Sequence, residues 1–125
     1  MSERNQRLDD LLADKRPEIQ AHWTSMREGE GSAHTQAATD AIDAEIQAFF
    51  DRLKALPEPA TDALVLAEMK QLYDGLYEVM EAADDGLLET DERELLVPLF
   101  IDAAEVCGVD PDEYDGEPGG EYRDF

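Results

Sequence analysis

Two histidines, one cysteine and a run of carboxylates around Gly86 are the residues of this chain whose types could do chemistry. His22 follows Glu18 by four positions, which places both on one helix face. A di-iron bundle would require Glu-x-x-His pairs and further inward carboxylates, and the sequence has no such pair. His22 and His34 therefore read as ordinary histidines on or near a short helix. Cys107 ends an apolar stripe in acidic surroundings, which disfavour a thiolate, so it reads as a buried structural thiol. With Gly86 at the sixth position of a calcium loop, the first, third, fifth and twelfth positions are Glu81, Ala83, Asp85 and Glu92. Calcium loops of this kind need oxygen ligands at the first, third and fifth positions, and alanine supplies none. The same residues read better as a turn. Gly86 ends one helix, Leu87 and Leu88 enter the core, and Thr90 caps the next helix. No nucleophile elbow, phosphate loop or zinc-protease motif is present. No catalytic residue, metal or cofactor is expected, and the chain is not read as an enzyme.

The elements that must position these residues are helical. Val, Ile and Thr are sparse while Ala, Leu and Glu abound. A first helix is predicted over Ser2–Asp14 and a second from Pro17 to Arg27, with Ile19, Trp23 and Met26 on one side. Glu28–Ser32 reads as a linker. Ser32 or Thr35 caps a third helix whose buried face is Ala38, Ile42, Ile46, Phe49, Leu53 and Leu56. Thr61 caps a fourth, striped by Val65, Met69, Leu72, Leu76, Val79 and Ala83 and closed by Asp84-Asp85-Gly86. A fifth runs from Thr90 over Leu95, Leu96, Leu99, Ala103 and Val106 to Gly108, kinked or split at Pro98. The fold class is all-α: a helical bundle of about five helices over residues 1–108. Residues 109–125 form an irregular, acidic, Pro/Gly-rich tail, either part of the same domain or partly disordered.

Charge is the dominant signal. The 125 residues hold 32 Asp and Glu against 10 Lys and Arg, a net charge of −22. Residues 84–125 carry 15 of the acids and only Arg93 and Arg123 as bases. Such a field repels nucleic acid and anionic membrane, so neither is an expected direct partner, and attracts cationic surfaces. The acids Asp84, Asp85, Glu89, Asp91, Glu92, Asp110, Asp112, Glu113, Asp115 and Glu117 are the candidate docking residues for a cationic protein. Tyr114, Tyr122 and Phe125 are the candidate aromatic anchors. Arg123 is free to pair with a nearby acid. Two other readings stay open: a nucleic-acid mimic that fills a basic groove, and an acidic housekeeping domain of a salt-loving organism. The start MSERNQRLDD lacks the apolar core of a secretory signal, and no apolar run reaches the roughly 20 residues of a membrane span. The expectation is a cytoplasmic protein.

The run LLETDEREL, followed by AAEVCGVD and the closing YRDF, resembles a family of small acidic helical bacterial proteins of unknown function. Its matching positions here are Leu88, Glu89, Thr90, Arg93 and Glu94, then Gly108 and Asp110, then Arg123, Asp124 and Phe125. The family usually ends in Trp, and this chain ends in Phe. The resemblance covers roughly the last 40 residues. Proteins of this type look like the immunity halves of bacterial toxin–immunity pairs. The resemblance therefore implies a protein that binds and neutralises a cationic toxin, secreted or delivered by contact.

Overall fold

Helix starts follow the capping chemistry of the sequence. The computed structural model describes residues 2–29, 34–83 and 87–125. Helix α1 (Glu3–Arg27) begins where Ser2 Oγ accepts the Asn5 N–H at 3.1 Å. Helix α2 (Gln36–Lys54) begins at Thr35, whose hydroxyl accepts the Ala38 N–H at 3.1 Å. Helix α3 (Asp62–Ala82) begins at Thr61, which accepts the Leu64 N–H at 3.3 Å. These bonds satisfy donors that a helix start otherwise leaves without partners. Helix α4 (Thr90–Val106) is capped differently from expectation. Thr90 is its first residue, the cap is Glu89, and the Glu92 side chain reaches back to the Glu89 N–H at 3.1 Å.

The described residues form four α-helices rather than five, and no strand. The two short helices expected on either side of Pro17 are one continuous helix, with Pro17 inside it. The proline removes a single bond, to the Ala13 carbonyl, and both residues are exposed, so water can take that bond's place. Leu8, Leu12, Ile19 and Trp23 are buried along one face on both sides of Pro17. Each contributes about 1.5–3 kcal/mol, together more than the roughly 3 kcal/mol a mid-helix proline costs. The same balance keeps α4 unbroken through exposed Pro98, flanked by buried Leu96, Val97, Leu99 and Phe100. Ser32 and the Asp84-Asp85-Gly86 segment lie outside the described residues.

Helix α2 packs most extensively on α3, and α1 bridges α2 and α4. Arg4 fastens the start of α1 to the end of α2, donating to the carbonyls of Lys54, Leu56 and Pro57 at 2.8–3.2 Å. The core holds Trp23, Phe49, Phe50, Tyr73 and Phe100 fully buried. Gly108 follows α4 at φ +102°, a left-handed geometry that favours glycine after a helix. Beyond it come two 3-10 turns, Pro111–Tyr114 and Gly120–Tyr122, and the second lies on α3. Gly119 sits at φ +75°, a left-handed conformation that favours glycine, and a Cβ there would crowd Met69 Sδ at 3.1 Å. Among the described residues, no helix is long and apolar enough to cross a membrane.

Candidate docking surface

The start of α4 carries the densest set of interacting polar groups. Glu92, at the third helical position, is only 2% exposed. Its Oε2 lies 2.6 Å from His22 Nε2 on α1, and its Oε1 lies 3.6 Å from His34 Nε2, just ahead of α2. His34 Nε2 donates to the Leu87 carbonyl at 2.7 Å, and the ring stacks on Trp23 at 5.7 Å. Trp23 in turn donates from Nε1 to Asp43 Oδ1 on α2 at 3.0 Å. One buried carboxylate thus ties α1 and α4 together beside the residues that precede α2. Among the described residues, no group of three His, Cys, Asp or Glu is arranged to hold a metal ion. Glu92, the twelfth residue of the calcium-loop register, points to His22, while Asp85 and Gly86 lie outside the described residues.

Glu92 was a candidate docking residue, and its burial removes it from that role. The cause is the capping geometry: a glutamate at the third helical position folds back over the helix start, and here that direction faces the core. His22 also differs from expectation, since it is half-buried and hydrogen-bonded across 70 positions of sequence. The Glu-x-x-Glu spacing of Glu89 and Glu92 was the available signal for the cap. Nothing local in the sequence signalled the histidine partner.

The tail aromatics are turned onto α3. Tyr114 donates to Asp62 Oδ2 at 2.7 Å, which ties the first 3-10 turn to the start of α3. That bond, with burial, pushes the Tyr114 phenol up to about 12. Tyr77 donates to the Tyr122 carbonyl at 3.2 Å, and Phe125 packs edge-on against Tyr73 and Tyr77 with centroids 6.0 and 6.2 Å away. Arg123 forms a fork with Glu117, at 2.7 and 2.8 Å, and lies over the Phe125 ring. The fork with Glu117 raises the Arg123 pKa further. Tyr114 and Phe125, expected as anchors for a partner, therefore fasten the tail through their side chains, Tyr122 does so through its backbone carbonyl, and Glu117 is held by Arg123. Burying aromatic area on α3 stabilises them there more than exposing it to water would. Asp110 is exposed and accepts the Asp112 N–H at 3.0 Å, capping the first turn. Glu89, Asp91, Asp112, Glu113 and Asp115 are exposed. Asp84 and Asp85 lie outside the described residues. Cys107 is buried, and burial pushes its thiol pKa up.

Six of the ten bases are already held by carboxylates: Arg4, Lys15, Arg52, Lys54, Lys70 and Arg123. Sequence reasoning placed the acidic surplus in the last third of the chain. The structure adds α1 acids to it, because α1 lies against α4. Among the described residues, the seam between these helices is a shallow groove lined by Asp14, Glu18, Asp91, Glu94 and Asp102, with Lys15 and the Glu92-bonded His22 beside them. No family model, no curated protein and no solved structure matches the chain.

Proposed function

We propose that this chain is a docking protein that binds and neutralises a cationic protein domain, as the immunity half of a toxin–immunity pair does. The pairing of its bases carries this reading. With most of the few bases committed to internal ion pairs, the exposed carboxylates of α1, α4 and the tail remain to attract positive charge. Cys107, buried and with its thiol pKa raised, is poorly placed to act as a nucleophile. The role is binding, and the occupied face would block the partner's active site or substrate groove. The test is capture of a partner at low salt, followed by stopped-flow association of the purified pair. A 1:1 complex is expected, with an association rate that falls at least about tenfold between roughly 0.05 and 0.5 M salt while dissociation changes little. An association rate indifferent to salt would refute the reading.

A second reading, that the acids are a general solvated coat suited to high salt, draws support from exposed carboxylates on every helix, among them Asp10, Asp40, Asp51, Glu78 and Asp102. The same scatter disfavours a nucleic-acid mimic, whose carboxylates should form rows at phosphate-like spacing. The coat reading predicts that no purified cationic partner binds with greater affinity than a generic basic protein of equal charge.

A further inference from the structure

We infer that the α1/α4 seam is the docking groove itself and that its occupant is a basic amphipathic helix of the partner; this rests on the docking reading above. The seam consists of two adjoining hollows of about 530 and 240 Å³ that share Glu18. Apolar side chains run along it between the acids, Leu11 and Ala21 from α1 and Leu95, Pro98 and Leu99 from α4, with the His22 ring beside Ala21. Acids lie on both sides of it, Lys15 is already bonded to Glu18 at 3.1 Å, and His22 is held by Glu92 at 2.6 Å. Among the described residues, the carboxylates of Asp14, Asp91, Glu94 and Asp102 make no hydrogen bond or ion pair.

Pro98 adds an acceptor to this wall of α4. Lacking an N–H, it leaves the Glu94 carbonyl without the helical donor it would otherwise have. The groove on the other side of α1 differs. There Arg16 and Asp43 carry opposite charges and Asp9 is paired with Lys54, so neither sign of charge is in excess. The α1/α4 seam joins apolar lining residues to acids on both of its sides. From Asp91 to Asp102 it extends about 16 Å, or three helical turns. A helix laid between two helices presents an apolar stripe to the apolar lining and flanking residues to both sides. Flanking Lys or Arg would meet Asp14 and Glu18 on one side and Asp91, Glu94 and Asp102 on the other.

The probe is a leucine–lysine peptide of about fifteen residues with helical periodicity, compared with a scrambled peptide of the same composition. Both are titrated into the isotope-labelled full chain at low salt. The helical peptide is expected to shift the amides of α1 and α4 along the seam and to bind more tightly than the scrambled one. Reversing Glu18→Lys with Glu94→Lys, or Asp102→Lys alone as a milder variant, should weaken it, the pair by at least about tenfold. Reversing Asp112, Glu113 and Asp115 to Lys should weaken it less than about threefold, with thermal melts showing that all variants fold. If the tail variant loses more than the groove pair, or the scrambled peptide binds the seam equally well, the groove assignment is overturned while the docking reading stands. If neither peptide binds at low salt, both fall.

Discussion

Replacing Glu92 with alanine should be the most damaging single change to a charged residue of this chain. The substitution removes the acceptor for the Glu89 N–H at 3.1 Å and for His22 Nε2 at 2.6 Å. Loss of a helix-start acceptor costs about 1 kcal/mol. A bond involving a charged group contributes about 1.5–3 kcal/mol, here toward the lower end because the His22 side chain is 22% exposed and water can reach it. The 3.6 Å approach of His34 is too long for a hydrogen bond, and His34 keeps the Leu87 carbonyl, so it adds little. Part of the gain from Glu92 is offset in the wild type by burying its carboxylate. The expected loss for Glu92→Ala is about 2–3 kcal/mol. Glu92→Gln keeps an oxygen for the Glu89 N–H and should lose about 1 kcal/mol. The assay is urea unfolding followed by Trp23 fluorescence, since Trp23 is the lone tryptophan, fully buried and stacked on His34. The midpoint should fall with m unchanged, and a cycle with His22→Ala should show a coupling of about 1 kcal/mol or more. An alanine variant within about 0.5 kcal/mol of wild type would refute the tie between α1 and α4, within the usual scatter of surface substitutions.

Four further outcomes concern Tyr73, the net charge and the tail. Tyr73 is fully buried and its hydroxyl has no hydrogen-bond partner among the described residues, so Tyr73→Phe should stabilise the chain by about 1 kcal/mol at neutral pH; a loss in urea melts would show that the hydroxyl is used. Burial raises the Tyr73 pKa above the ordinary tyrosine value, so the unfolded chain gives up that proton first. Stability should then fall as pH rises from about 10, by up to roughly 1.4 kcal/mol per unit, and the phenylalanine variant should fall less steeply. With a net charge of −22, raising salt from about 0.1 to about 1 M cuts the screening length from about 10 to about 3 Å and should raise Tm by several degrees; a flat or falling Tm would mean that the internal ion pairs outweigh the repulsion. Arg123→Ala removes the fork with Glu117 and the contact with Phe125, and should speed hydrogen exchange across residues 111–125 while leaving α2 and α3 protected; unchanged exchange in the tail would show that the aromatics hold it alone.

What the sequence disclosed, and what it withheld, divides along the range of the forces involved. Caps and stripes act within one or two turns, so Thr35, Thr61 and the buried rows of α2 and α3 were legible from spacing. The break expected at Pro17 does not occur because its cost is local, while the burial of Ile19 and Trp23 in the core beside α2 comes from residues far along the chain. The same holds for charge. Glu92 counts as one more acid in a run of acids until α1 is brought beside α4, and only then does His22 take it out of the surface set. Tyr114, Tyr122 and Phe125 carry no local mark to tell an anchor for a partner from an anchor for the chain's own tail, and Asp62, Tyr77 and Tyr73, each more than 40 positions away, decide it. Removing these residues from the docking set moves its centre from the tail toward α1 and α4. A carboxylate matters for docking only if no internal base, cap or aromatic hydroxyl has claimed it. Among the described residues, Asp14, Asp91, Glu94 and Asp102 meet that condition along one seam, and Asp14 lies outside the acidic last third that net charge along the chain had picked out.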